Sequence, residues 1–322
     1  MKDITYAAPK TVAEAAGLLN DKGDRARILA GGTDIIVQVR EGRRDIDVLV
    51  DIKHIADVNE LTCDAKGLVI GAAVPCCRIY EDKSIAKAYP GLLDAATLIG
   101  GIQIQGRASL GGNLCNASPA ADSIPVLIAL EGVCDIAGPK GTRSVPVEQF
   151  CTAPGKTVLE RGEFLVRFRF PPTKKQSGAA YLRFIPRNEM DIAVVGAGVA
   201  LQLDATKSKC TAARIALAAV APTPLLVIEA GKALVDGGVS EASLAKAASL
   251  AQAAARPISD KRRVGRSQRG GNCRQCGNQL ACGRTRWCGQ RWCRLYGTAT
   301  ARKQPACIVR CSSDRTCFLV YV

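Results

Sequence analysis

Apolar positions recur in two rhythms along the first 260 residues, one helical and one alternating, and lose both beyond that point. Thr11 followed by Glu14 makes a capping-box pattern. Ala15, Ala16, Leu18 and Leu19 then give an apolar helical face that ends near Gly23. Ile28–Ala30 and Ile46–Asp51 read as strands on either side of a short helix, Asp34–Arg40. Further on, Leu68–Ile70 predicts a strand, and Ile79–Ala88 and Gly91–Ile99 predict helices, the second entered through Pro90 and left at Gly100-Gly101. Ile124–Leu130 predicts another, wholly apolar helix. A last block has strands at Tyr181–Ile185, Asp191–Leu203 and Ala212–Val220, and Ser240 caps an Ala-rich helix, Glu241–Arg256. The pattern predicts an α+β chain of three units, 1–55, 56–175 and 176–262, the last a three-stranded sheet with helices. Residues 263–322 form a tail of different character.

Composition sharpens that division. The chain has 322 residues, 48% of them hydrophobic, enough for a sizeable core. Its net charge of +15 suggests nucleic acid until the charge is located. Residues 261–322 hold 14 of the 44 Lys and Arg but a single acid, Asp314, so the body carries 30 bases against 28 acids. Eight of the 15 cysteines and both tryptophans, Trp287 and Trp292, are in the tail too. The seven body cysteines (63, 76, 77, 115, 134, 151, 210) are scattered through apolar or small-residue runs, as buried reduced thiols are, and form no disulfide framework. No apolar run approaches the roughly 20 residues of a membrane span, and the start lacks a secretory apolar segment; the expected location is cytoplasmic.

The candidate chemistry sits in two glycine motifs. Ser109-Leu110-Gly111-Gly112-Asn113-Leu114-Cys115-Asn116 runs on through Ala117-Ser118-Pro119-Ala120-Ala121-Asp122. Paired glycines let backbone approach a ligand closely, and the small polar residues beside them supply short hydrogen-bonding groups. Upstream, Leu29-Ala30-Gly31-Gly32-Thr33-Asp34 lies at a strand-to-helix junction, and its free N–H groups and an Asp-capped helix suit a diphosphate. Two such turns predict one dinucleotide between them. Asp122, beside the start of the Ile124–Leu130 helix, is placed to accept a hydroxyl hydrogen bond.

Other features resist a functional reading. Val194-Val195-Gly196-Ala197-Gly198-Val199-Ala200-Leu201 imitates a GxGxxG fingerprint, but Leu201 stands where the third glycine belongs and the segment continues as strand. Gly196 and Gly198 there permit close packing. The sole histidine, His54, falls in a post-strand turn away from both motifs. In the tail, Cys273, Cys276, Cys282, Cys288 and Cys293 among Arg and Trp loosely imitate a zinc module, so the alternative function is a basic, Cys-rich zinc- or nucleic-acid-binding protein. The second pair lacks a repeated CxxC and no histidine assists.

The AGGTD turn, the SLGGNLCNASPAAD segment, Phe164-Leu165 before Pro171, and Arg187-Asn188-Glu189-Met190-Asp191-Ile192-Ala193 together resemble the FAD-binding medium subunit of the molybdenum hydroxylases, the xanthine dehydrogenase and carbon monoxide dehydrogenase family. The resemblance runs from about residue 1 to about residue 262. It implies a two-lobed FAD-binding domain of the PCMH type followed by a smaller C-terminal α+β domain. It also implies noncovalent FAD contacts at Leu29, Ala30, Gly31, Gly32, Thr33 and Asp34, at Ser109, Leu110, Gly111, Gly112, Asn113 and Asn116, and at Asp122. Leu165 falls where the family has an apolar contact, and Arg183 where it often has a basic residue. Gln103-Ile104-Gln105-Gly106-Arg107-Ala108 departs from the family's usual IRNRG wording before Ser109. The extra iron–sulfur cluster of the hydroxybenzoyl-CoA reductase branch is rejected, because Asp122 to Thr152 contains only Cys134 and Cys151.

The function implied is an electron-transfer subunit, an oxidoreductase component of unspecified substrate. The molybdenum cofactor would sit on a large partner subunit and [2Fe–2S] clusters on a small one, with electrons passing to the FAD held here and on to NAD, a quinone or oxygen. No His, Cys and Asp constellation for hydrolysis is present in the body, so the chemistry falls to the cofactor. The tail departs from the family where a charged amphipathic helix belongs. A shifted reading frame in a GC-rich gene would produce such a text, and residues 263–322 are expected to be poorly ordered and no functional part of the fold.

Overall fold

Thr11 opens the first helix as its pattern predicts, with one partner displaced. Its hydroxyl accepts from the N–H of Glu14 at 3.2 Å, while the Glu14 carboxylate accepts from the N–H of Lys10 at 2.8 Å instead of reaching back to Thr11 itself. In the computed structural model, which describes residues 3–185, 190–258, 307–311 and 317–321, the chain forms two units, Met1–Ala255 and Arg256–Val322.

Within the first unit, strands β1 (Thr5–Ala7), β2 (Ala26–Leu29) and β3 (Val48–Asp51) form a parallel sheet of order β1-β3-β2. Helices α1 (Val12–Lys22) and α2 (Ile35–Arg40) make the crossovers that parallel strands require. Ala15, Ala16, Val48, Val50 and Ile52 form the core of this lobe, and it is completed from far along the chain by Ala137, Phe164 and Val166.

The second lobe is built on a five-stranded antiparallel sheet of order β4-β5-β10-β6-β7. Its strands are β4 (Leu61–Asp64), β5 (Gly67–Gly71), β6 (Val133–Gly138), β7 (Gly141–Pro146) and β10 (Phe164–Phe170), and a small ladder pairs β8 (Cys151–Ala153) with β9 (Lys156–Thr157). Where one helix is predicted over Ile79–Ala88 there are two, α3 (Cys76–Glu81) and α4 (Lys83–Ala88). The break is Asp82, which leaves helical backbone (φ −77°, ψ 113°) so that its carboxylate can accept from the N–H groups of Ser84 and Ile85. Next come α5 (Pro90–Ala96) with Pro90 in its first turn, α6 (Ile102–Gln105), α7 (Leu110–Cys115), the fully buried α8 (Ile124–Ala129) and α9 (Val147–Phe150). They cover the sheet around Ile70, Leu92, Leu127, Phe150 and Phe168.

The third block departs from prediction by one strand. β11 (Ser177–Phe184), β12 (Val195–Leu203) and β13 (Cys210–Ala218) are joined by β14 (Leu225–Leu226), giving four strands in the order β11-β12-β13-β14. Two residues are too few to show an alternation in sequence. β12 also starts at Val195, later than the predicted Asp191. Two helices follow, α10 (Ile228–Gly237) and α11 (Glu241–Ala254), the latter capped by Ser240 accepting from the N–H of Ser243 at 3.2 Å. The GxG pair in β12 serves packing: a Cβ on Gly196 would stand 2.5 Å from the Tyr181 hydroxyl, and one on Gly198 2.4 Å from the Pro125 backbone at the start of α8. In the second unit, β15 (Cys307–Cys311) pairs antiparallel with β16 (Cys317–Tyr321). The remainder of the tail reading from Arg263 onward, the zinc-like cysteines and Arg187-Asn188-Glu189 lie outside the described residues.

Candidate cofactor site

The upstream glycine motif is a turn fixed from below. β2 ends at Leu29, and Gly32 takes φ +81°, the left-handed region that glycine enters without strain. Lys53 donates through Nζ both to the Ala30 carbonyl at 3.0 Å and to Asp51 Oδ1 at 2.7 Å. Asp51 also accepts from the Tyr6 hydroxyl at 2.6 Å. Burial pushes the Asp51 carboxyl up, but Lys53 and Tyr6 outweigh that and hold it below its ordinary value. His54, in the one-turn segment Ile52–His54, is exposed and off this site.

The downstream motif is the first turn of α7. Ser109 is its N-cap, and its hydroxyl accepts from the N–H of Gly112 at 3.0 Å. Asn113 Oδ1 accepts from the hydroxyl of Ser123 at 2.7 Å, tying the motif to the chain just past Asp122. Each motif packs tightly on backbone from elsewhere in the chain: a Cβ on Gly31 would lie 2.0 Å from the Arg107 carbonyl oxygen, just ahead of the second motif, and one on Gly111 2.3 Å from that of Ala72, just past β5. Gly31 and Gly111 therefore permit contact between chain segments, a use of glycine that the sequence reading ascribed to the ligand.

Between them lies a cavity of about 600 Å³, within the roughly 300–1,000 Å³ usual for ligand clefts. Ala30, Gly31, Gly32, Thr33 and Asp34 line it, and so do Ser109, Gly111, Gly112, Asn113, Asn116 and Leu165. Leu29 and Leu110 lie behind the wall, both buried. Asp122 and Arg183 are also off the lining; they form a buried ion pair, Arg183 donating to Asp122 Oδ2 at 2.8 Å and the Tyr181 hydroxyl to Oδ1 at 2.9 Å. The hydroxyl that Asp122 accepts in this structure is thus the protein's own. Burial raises its carboxyl above the ordinary value against the pull of Arg183 and Tyr181.

Asp34 differs from expectation: it precedes α2 but makes no capping hydrogen bond. Its backbone is already helical (φ −103°, ψ −47°), whereas a capping side chain needs an extended residue to fold back over the first turn. Asp34 lines the cavity, and burial raises its carboxyl above the ordinary value. Among the described residues no backbone hydrogen bond uses the N–H of Gly32, Thr33 or Asp34, nor that of Gly111, while Leu110 joins the bridge that pairs Ser109 with Pro75. Such a set of unused donors on facing turns suits a phosphorylated, polyhydroxylated cofactor.

The sequence reading missed a third wall, formed by Gly155, Thr157 and Leu159 to Phe164, together with Ile99, Gln38 and Arg44. Gly155 and Gly162 both have positive φ, the one local signal in that loop. Glu163 is not available for proton transfer there, since Arg143 grips it through two bonds at 2.8 and 2.7 Å and lowers its carboxyl. The Cys115 thiol on the wall is pushed up to about 12 by burial, and Cys151 nearby to about 11. Among the described residues there is no cluster fit to hold a metal ion and no helix long and apolar enough to cross a membrane.

An open cleft with free backbone donors on two sides, and no acid–base pair on its walls, defines a protein that holds a nucleotide cofactor. The comparisons agree. Residues 2–173 match the FAD binding domain in molybdopterin dehydrogenase, and residues 180–265 match the CO dehydrogenase flavoprotein C-terminal domain. The chain is 36% identical over 223 residues to the xanthine dehydrogenase FAD-binding subunit of Escherichia coli O157:H7, covering 69% of this chain and 75% of that one. It is 33% identical over 242 residues to the carbon monoxide dehydrogenase medium chain of Afipia carboxidovorans, covering 75% and 83%. The solved Cu,Mo-CO dehydrogenase superposes with a TM-score of 0.77 at 32% identity, over 81% of this chain and 90% of that one. This chain belongs to the family of FAD-binding subunits of molybdenum hydroxylases and is an oxidoreductase component whose cofactor is FAD. The zinc and nucleic-acid reading gains no support from these matches.

Proposed function

We propose that this chain is the electron exit of a cytoplasmic, three-subunit molybdenum hydroxylase, passing electrons that arrive from [2Fe–2S] clusters of a small partner subunit, fed by a molybdenum centre on a large one, to an external acceptor. The observation that carries this reading is the cleft itself: donors on two glycine motifs and no proton-transfer pair leave the protein a holding and orienting role. FAD, when bound, supplies stepwise electron transfer. The chain's own residues then divide the labour. Gly31, Gly32, Thr33 and Asp34 on one turn, and Ser109, Gly111, Gly112, Asn113 and Asn116 on the other, hold the diphosphate and the polyol, with Leu29, Ala30 and Leu110 supporting them. Leu165 provides apolar wall, and the Asp122–Arg183 pair sets charge behind it. Residues 1–55 and 56–175 act as the two lobes and 176–262 as the smaller C-terminal domain.

The test is a spectrum and a reduction. The purified chain should carry yellow FAD that is released on acid precipitation, because the Cys115 thiol is held protonated. In the assembled complex, substrate should bleach that absorbance, and an added acceptor should restore it. Bleaching of the separated chain by substrate alone would overturn the proposed route.

A further inference from the structure

Three arginines line the cavity, Arg27, Arg44 and Arg161. Arg161 is occupied at the end of α1, where its Nε donates to the Asn20 carbonyl at 2.8 Å and an NH2 to that of Asp21 at 3.3 Å. Arg27 donates to the Ala26 carbonyl at 2.8 Å and lies 3.6 Å from the Asp24 carboxylate. Arg44 is held differently. Its Nε donates to Gln38 Oε1 at 3.1 Å, and among the described residues no carboxylate pairs with it.

That single bond is part of a relay across the cleft. With Oε1 taken by Arg44, the Gln38 amide presents Nε2 to Asn116 Oδ1, 3.2 Å away on the other lobe. A flipped Gln38 amide would set donor against donor and acceptor against acceptor, so its orientation is fixed by its neighbours. The backbone beneath Arg44 is folded back as well: Gly42 has φ +69°, and the Arg43 N–H donates to the Gln38 carbonyl at 2.9 Å. Arg44, which lines the cavity, is thereby anchored through Nε, and among the described residues its two terminal NH2 groups have no protein partner.

Charge gives those groups a task. The acids on the cavity wall are Asp24, Asp34, Glu160 and Glu163, of which Glu163 is already neutralised by Arg143. A diphosphate entering beside Asp34 needs a cation there, and a guanidinium with two adjacent donors is the side chain that matches phosphate geometry. We propose that Arg44, oriented by Gln38, is the cation that binds the cofactor's diphosphate, and that the Gln38–Asn116 bond makes this contact depend on both lobes. The proposal rests on the reading of the cavity as the FAD cradle.

The experiment is a titration of the full-length apoprotein with FAD, ADP and riboflavin by calorimetry, at low and moderate salt. Wild type should bind FAD and ADP, the latter less tightly as salt rises. Arg44→Gln should weaken FAD and ADP at least tenfold, equal to about 1.4 kcal/mol, flatten the salt dependence of ADP binding, and leave riboflavin unchanged. Arg44→Lys should recover part of the loss, and Gln38→Leu should give a smaller loss confined to the phosphorylated ligands at an unchanged melting temperature. ADP binding by Arg44→Gln equal to wild type overturns the proposal, as does a loss of riboflavin as large as that of ADP. Wild-type apoprotein that binds none of the three overturns instead the cradle assignment beneath it.

Discussion

Gly31-Gly32 and Gly111-Gly112 carry the same dipeptide into opposite backbones. The first pair forms a turn in which Gly32 has φ +81°, while the second lies in ordinary helix at the start of α7. In both, the first glycine faces protein at a distance no Cβ tolerates, 2.0 Å from Arg107 or 2.3 Å from Ala72. In both, the second has easier neighbours: the movable side chains of Ile36 and Leu29 for Gly32, and Ser109 Oγ at 3.3 Å for Gly112. All four glycines line the cavity, but the first of each pair also permits a close packing contact that the second does not need.

Substitution at the first position should do the most damage. Gly31→Ala and Gly111→Ala each force backbone apart and should cost about 3 kcal/mol, or roughly 6–12 °C in melting temperature. Melting within 2 °C of wild type at either position breaks the parallel. A useful control is Gly178→Ala, whose Cβ would meet nothing within 4 Å; Gly198 is no such control, because its Cβ would strike the backbone of Pro125. Gly32→Ala comes next, with a left-handed strain of about 1–2 kcal/mol and weaker FAD binding, read by melting and by titration.

Gly112→Ala is where the comparison is sharpest. Helix interiors favour alanine over glycine by roughly 0.5–1 kcal/mol, so the apoprotein should melt at or above the wild-type temperature while FAD binds less tightly. Thermal scans of apo and loaded protein would show the two effects with opposite sign, and equal FAD affinity would remove Gly112 from the site.

The smallest effect concerns the support under the first turn. Asp51 has its carboxyl lowered in the folded state, so the folded protein binds fewer protons than the unfolded chain. Stability from this group is therefore complete above the unfolded value of 3.8 and is lost as pH falls through the lowered folded one. Asp51→Asn should flatten the acid limb of a denaturation profile below about pH 4, leaving the neutral region shifted by a constant amount. An unaltered slope would assign acid sensitivity to another group, such as Glu163.

What could be read in advance was local. Thr11, Ser240 and Pro90 announce helix starts because a cap or a first-turn proline acts within three residues, and the two glycine motifs stand out for the same reason. Asp82 shows the limit: its role as a break depends on a backbone angle that the apolar pattern of Ile79–Ala88 runs straight through. The wall from Gly155 to Glu163 was illegible because its residues matter only where the chain leading into β10 brings them, ahead of the strand that pairs with β5 and β6, whereas Leu165 was legible through its family motif. Gly31 against Arg107 is the extreme case, since nothing within either segment names the other.

The first lobe's core has a consequence for how the protein is made. Residues 5–51 contain a complete parallel sheet, but Ala137, Phe164 and Val166 complete the cluster beneath it. On a ribosome that adds roughly 5–20 residues per second, on the order of 5–20 s pass between emergence of β3 and emergence of its last packing partners. During that interval Val48, Val50 and Ile52 have only part of their cover. The nascent N-terminus therefore keeps apolar surface open to water throughout that interval, and the cavity is incomplete until Phe164 and Leu165 of β10 have left the exit tunnel.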